Sequence, residues 1–221
     1  MIKNLLIVDS VVKHYNHKLV VSDVYLKCET NQIIGLLGRN GSGKSTLLKI
    51  IFGIVSAENK FIKINNEVKT KLLFKEISYL SQDNFIPHYF TVKKAILLSI
   101  CSKRQKYFFE DSLIQPILNN KIHQLSGGEL RYLEIKLILE NNSKFVLLDE
   151  PYNGLSPIMI DIVNQLIIEN SQTKGIIITD HNYENVIKIS TQLVLMKDGK
   201  THHLKDKKEL IEKGYLFEGM I

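Results

Sequence analysis

The run Gly38-Arg39-Asn40-Gly41-Ser42-Gly43-Lys44-Ser45 constrains the fold of this chain more than any other segment. It satisfies G-x-x-x-x-G-K-S/T at every fixed position, and Thr46 continues it. An apolar, β-forming run from Gln32 to Leu37 leads into it. The spacing after it predicts a helix from about Ser45 to Phe52, with Gly53 placed to stop that helix. In a strand–glycine loop–helix of this kind, backbone N–H groups converge on phosphate oxygens with no Cβ in the way. Lys44 adds a mobile positive charge for the β- and γ-phosphates. Ser45 offers a hydroxyl to Mg²⁺, and the helix aims its positive dipole end at the anion.

A second apolar run, Phe145-Val146-Leu147-Leu148, ends in Asp149-Glu150. Four β-formers ahead of Asp149 bring its carboxylate out at a strand's C-terminal end, the edge where ligands of parallel sheets gather. Asp149 is then a Mg²⁺ holder, through water, and Glu150 is placed to polarise an attacking water. Between the two motifs lies Leu125-Ser126-Gly127-Gly128-Glu129. Taken alone, that stretch could be a plain helix cap.

The period along the chain changes twice. Short β-rich runs come first, at Leu5 to Val8, Leu19 to Leu26 and Gln32 to Leu37, with more at Phe61 to Ile64 and Ile77 to Leu80. From Thr91 to about Asn141 the period is helical: a helix capped by Thr91, another over Glu110 to Asn119, and a third after Gly127-Gly128. Beyond Lys144, strand and helix alternate through Phe145 to Leu148, Ile158 to Ile168, Ile176 to Thr179 and Leu193 to Met196. Alternation predicts a parallel sheet covered by helices. The expected plan is a single α/β domain over residues 1–221 with a helical insertion at about 85–140.

Bulk properties narrow the class. At 221 residues the chain can bury a sizeable core, and 44% apolar with 24% charged residues is ordinary for a globular protein. No apolar run approaches the roughly 20 residues that cross a bilayer as a helix. The segment from Met1 to Asp9 reads as a strand, without a small-residue cleavage site. Cys28 and Cys101 stand apart, which indicates neither a disulfide framework nor a zinc site and fits a reducing cytosol. The net charge is +6, but the lysines are scattered. With no basic stripe interleaved with aromatics, nucleic acid is not an expected partner.

Phosphate loop, LSGGE and the Asp149-Glu150 strand, in that order, resemble the ATP-binding cassette (ABC) ATPases over nearly the whole chain. The resemblance implies a P-loop NTPase core with a mainly parallel sheet, an N-terminal antiparallel β subdomain and an inserted helical subdomain. It implies that Gly38 to Thr46, including Arg39, Asn40, Ser42 and Lys44, hold ATP. Gln82 looks like the glutamine that senses Mg²⁺ and water, His181 like the switch histidine at the γ-phosphate, and Tyr15 like the ring that stacks on adenine. Ser126, Gly127, Gly128 and Glu129 look like the segment that binds the γ-phosphate held by a second copy. The cofactors so implied are ATP and Mg²⁺, with Ser45, Gln82 and Asp149 at the metal. The partners so implied are a second copy in a head-to-tail dimer and an integral membrane subunit that supplies the transport pathway. That assembly lies on the cytoplasmic face of the inner or plasma membrane.

Similarity within the family extends to two details and departs at one. Thr179-Asp180-His181-Asn182 and Gly214-Tyr215-Leu216-Phe217-Glu218 look similar to the lipopolysaccharide-export ATPases. In transporters of this kind, the surface corresponding to Phe85-Ile86-Pro87-His88-Tyr89-Phe90 receives a short helix of the membrane subunit; packing inside the helical subdomain is the other use of such a segment. The departure is Ser156, where the family has Asp. Ser preserves the cap and loses the charge. Weaker coupling between the two sites is the expected consequence. Two other classes stay open: a soluble ABC ATPase of translation or DNA repair, and a weakly hydrolytic ATP-dependent scaffold.

Overall fold

A computed structural model describes residues 3–71 and 73–217. Met1, Ile2 and Glu218, which the sequence reading touched, lie outside the described residues. In chain order the elements are β1 Leu5–Tyr15, β2 Lys18–Val21, β3 Tyr25–Glu29, β4 Gln32–Leu37, α1 Lys44–Phe52, β5 Asn59–Ile64, β6 Glu67–Val68 and β7 Ile77–Leu80. There follow α2 Val92–Ser99, α3 Ser102–Phe109, α4 Gly127–Glu140, β8 Phe145–Asp149, α5 Pro157–Ser171, β9 Gly175–Thr179, α6 Tyr183–Ile189, β10 Gln192–Lys197, β11 Lys200–Leu204 and α7 Glu209–Glu212.

Two sheets organise them. One runs β11-β10-β4-β9-β8-β7, parallel except for the β10–β11 hairpin. The other is antiparallel: β1 pairs with β2, β3 and β5, and β5 with β6. The strands of the parallel sheet are apolar on both faces because both faces are covered. Ile33, Leu80, Val146, Leu148, Ile176 and Ile178 pack with the helical side. Their neighbours Ile34, Leu36, Phe145, Leu147 and Ile177 pack with α1 and the antiparallel sheet.

The structure redraws three expected boundaries. The first strand continues to Tyr15, past a kink at Ser10, where φ is 53°. The run from Leu19 to Leu26 splits into β2 and β3 at Asp23, whose φ of 47° turns the backbone out of the extended region between the two. The helix expected over Glu110 to Asn119 is absent. α3 ends at Phe109, and turns follow with one 3₁₀ turn at Gln115–Ile117. Asp111 accounts for the break. Its carboxylate accepts the N–H groups of Leu113 (2.9 Å) and Ile114 (3.1 Å) and pairs with Lys136 and Tyr132 of α4. Pro116 adds to the break, since it has no N–H and disfavours a helical residue before it.

Thr91 caps α2 as expected, accepting from Lys94 N at 3.1 Å. The core placement matters for the site. β4, β8 and β9 lie side by side, so the loops at their C-terminal ends open on one edge of the sheet.

Candidate functional site

β4 ends at Leu37 and the chain turns sharply through Gly38 to Gly43 before α1 begins at Lys44. Gly43 has φ 102°, and a Cβ there would stand 2.8 Å from the Val20 carbonyl oxygen, so only glycine fits. No side chain caps α1 and no acid sits in its first turn. Its leading N–H groups thus face outward toward any anion. Lys44 Nζ donates to the carbonyls of Gly38 (2.7 Å) and Arg39 (3.1 Å). Burial lowers the Lys44 pKa, against the opposing pull of Glu150 and Asp149. A desolvated ammonium of this kind is a strong partner for phosphate oxygens.

Asp149 closes β8 and is fully buried. Its Oδ1 accepts the Ser45 hydroxyl at 2.9 Å and its Oδ2 accepts the Tyr79 hydroxyl at 2.9 Å. Gln82 Nε2 lies 3.3 Å from Ser45 Oγ and 3.5 Å from Asp149 Oδ1. The Ser45 hydroxyl and Asp149 carboxylate so grouped are hard oxygen donors that suit Mg²⁺, and Gln82 turns its amide nitrogen toward them. Glu150 follows with φ 52°, a left-handed conformation uncommon for Glu, pinned by its N–H to the Thr179 carbonyl at 2.7 Å. Its Oε1 stands 2.9 Å from His181 Nε2. A cavity of about 270 Å³ gathers Lys44, Ser45, Thr46, Gln82, Glu150 and His181. Residues from four separate stretches of sequence meet there.

Two predicted groups lie outside it. Tyr15 ends β1 opposite Lys18, half exposed, with the Lys13 ammonium 5.0 Å above its ring. It lines neither this cavity nor a larger one of about 580 Å³ along the outer side of the loop. Ser126, Gly127, Gly128 and Glu129 form the start of α4 and line neither cavity. There Ser126 accepts from Glu129 N at 3.3 Å, and Glu129 Oε2 accepts Ser126 N at 2.8 Å, a reciprocal capping box. Ser156 caps α5 through Met159 N at 3.4 Å.

Sequence reading missed two residues of the site. Tyr79 is one, sharing Asp149 with Ser45; burial and the carboxylate hold its hydroxyl protonated. Arg131 is the other. From within α4 its guanidinium donates to the carbonyls of Ser81 (2.8 Å), Asp149 (3.1 Å), Glu150 (2.8 Å) and Pro151 (3.3 Å). Beside it is Glu134, fully buried, which accepts Phe85 N at 2.8 Å and lies 3.7 Å from Arg131. The sequence hint was an arginine three residues before a glutamate on the helix that follows the glycine pair.

The ABC transporter family pattern matches residues 21–153. The lipopolysaccharide export system ATP-binding protein LptB of Haemophilus influenzae is 32% identical over 213 residues, 89% of this chain and 88% of that protein. The same-named protein of Acidithiobacillus ferridurans is 30% identical over 223 residues, 94% of this chain and 92% of that one. Among solved structures, an ATP-binding subunit of an ABC transporter superposes with TM-score 0.81 at 19% identity, covering 96% and 94% of the two chains. The dimeric structure of MJ0796, a bacterial ABC transporter cassette, gives 0.78 at 22%, covering 91% and 99%. At such identities the solved structures speak for the fold alone. The family match spans the phosphate loop, α4 and Asp149-Glu150 together, and with it this chain belongs to the ABC transporter family as an ATP-binding, ATP-hydrolysing subunit.

Proposed function

We propose that two copies of this chain close head to tail around two ATP molecules and drive transport through a separate membrane subunit. The observation that carries this is a division of labour. Lys44, Ser45, Gln82, Glu150 and His181 meet at one cavity, while the exposed N-terminus of α4 with Ser126 and Gly127 lies away from it. Each copy then holds half of each site. The phosphate loop grips ATP through its backbone N–H groups and Lys44, and Tyr15 stacks on adenine. Mg²⁺, held by Ser45, Asp149 and Gln82, would supply positive charge to the phosphate oxygens. Glu150 orients and polarises the attacking water, and His181, already 2.9 Å from Glu150, faces the γ-phosphate. The partner copy's α4 N-terminus adds N–H donors to the same phosphate.

The chain is then one cassette with its helical part at about 85–140. The membrane partner docks where Phe85 and Tyr89 leave apolar rings exposed beside the buried Ile86. Among the described residues no helix is long and apolar enough to cross a membrane. In this reading the assembly sits on the cytoplasmic face of a bacterial inner membrane, and the LptB relatives point to export of a lipopolysaccharide-like lipid.

The test is Glu150→Gln. It should bind ATP, hydrolyse it very slowly and elute as a dimer in gel filtration with ATP. Monomer alone, at ATP concentrations that saturate binding, would refute the shared site. Lys44→Ala should lose nucleotide binding and dimer together.

A further inference from the structure

We propose that Asp180 is a positioning residue for hydrolysis: its carboxylate bridges the backbone just past Glu150 to the backbone just past His181 and so fixes the spacing of that pair. The inference rests on the roles given to Glu150 and His181 above and deepens them.

The two loops leave neighbouring strands. β8 and β9 pair in parallel with Asp149 opposite Thr179, so the segments that follow emerge side by side. Asp180 is the first residue past β9 and is buried. Its Oδ2 accepts the N–H of Tyr152, two residues past Glu150, at 2.9 Å. Its Oδ1 accepts the N–H of Asn182, the residue after His181, at 2.9 Å. A carboxylate suits this task because both of its oxygens accept. The side chains so bracketed meet in front of it, His181 Nε2 standing 2.9 Å from Glu150 Oε1.

A second tie joins the same loops through side chains. The Tyr152 hydroxyl donates to Asn164 Oδ1 on α5. Asn164 Nδ2 donates to Asn185 Oδ1 on α6 at 3.1 Å, and Asn185 Nδ2 donates to Asn182 Oδ1 at 3.0 Å. Tyr152 and Asn164 are buried, and a satisfied buried network of this kind rigidifies what it joins. Asp180, Tyr152, Asn164 and Asn185 line neither cavity, whereas Glu150 and His181 line the smaller one. The effect of the clamp therefore passes through Glu150 and His181. Its signature is a change in turnover without a change in nucleotide affinity.

Asp180→Asn keeps the shape, but an amide accepts at one end only, so either Tyr152 N or Asn182 N loses its partner. The kcat should fall about tenfold, the scale of a misplacement short of 1 Å, with the KM for ATP and the Kd for a fluorescent ATP analogue within about twofold. In a His181→Ala background the same change should cost less than about threefold, since no histidine is left to align. Should Asp180→Asn fail to fold, Tyr152→Phe carries the test. It keeps the ring and opens the outer tie, so kcat should fall about threefold with the Kd unchanged, less than a full hydrogen bond because Asp180 still holds. The proposal is overturned by an Asp180→Asn kcat equal to the parent's, by a Kd that rises in step with the fall in kcat, or by a full tenfold loss in the His181→Ala background. Tyr152→Phe at the parent's rate also overturns it. Glu150→Gln and His181→Ala alone, measured in the same series, report on the roles beneath. Normal turnover in both removes that reading, whereas slow turnover there beside an undiminished Asp180→Asn removes only the clamp.

Discussion

Replacing Arg131 by Met is the sharpest perturbation the structure offers. Methionine keeps most of the buried hydrocarbon and removes the guanidinium. Four carbonyl acceptors lose their donor, and three of them belong to the consecutive residues Asp149, Glu150 and Pro151. Glu134 keeps its bond from Phe85 N, but its second oxygen has no hydrogen-bond partner even with Arg131 present. Removing one member of a buried ion pair destabilises by about 3–5 kcal/mol, chiefly through the charge left behind. The pH dependence follows from Glu134. Burial already raises its pKa above 4.5, and loss of Arg131 raises it further. A carboxyl with a raised folded pKa contributes stability below its unfolded pKa and loses it as pH rises through the folded one. The penalty should therefore be smaller at pH 5 than at pH 8. Urea unfolding at both pH values measures it, and Arg131→Met/Glu134→Gln should recover part of the loss by deleting the stranded charge. Activity should fall about 100-fold in kcat, the scale of a misplaced catalytic group, since the Glu150 backbone loses its tether. A stability loss under about 1 kcal/mol, a double variant no better than the single, or undiminished turnover would each show that Arg131 does not organise this loop.

Two further outcomes are expected. Ser156→Asp should leave thermal stability within about 0.5 kcal/mol, because both residues cap α5, and should raise the Hill coefficient for ATP if a charge at this position couples the two copies; an unchanged rate and cooperativity would remove Ser156 from the account. Cys28 is buried against β9, and burial pushes its thiol up from 9.0 to about 12. Stability from keeping it neutral is present below pH 9 and lost as pH rises toward 12, by about 1.4 kcal/mol per pH unit. Cys28→Ala should flatten that slope, and parallel curves for parent and variant between pH 9 and 11 would contradict the argument.

The parallel sheet was legible because its strands are apolar without interruption, which only a doubly covered sheet permits, and because Gly53 and Thr91 mark helix ends by local chemistry. The boundaries that failed had mixed causes: a tertiary partner at Asp111, the local breaker Pro116, and a backbone conformation at Asp23. Glu110 to Asn119 carries a reasonable helical pattern, yet Asp111 is drawn to Lys136 and Tyr132 on a helix far along the chain. The break at Asp23 rests on a backbone conformation that its residue type permits but does not demand.

The site divides along the same line. Lys44, Ser45, Asp149 and Glu150 are found by spacing, since their chemistry needs neighbours in sequence: a glycine before a lysine, an apolar strand before a carboxylate. Tyr79 and Arg131 are not, and what they share explains why. Each acts on the site through a group that any residue could supply or that lies on another element: the Asp149 carboxylate from β7 and four backbone carbonyls from α4. Backbone partners leave no trace in residue identity. A phosphate-binding loop is thus readable as a motif, whereas the contacts that hold it at a fixed distance from Glu150 and His181 appear only when the strands are laid side by side. Those contacts set the alignment on which hydrolysis depends, so variants that alter activity without touching nucleotide should concentrate at Arg131 and Tyr79.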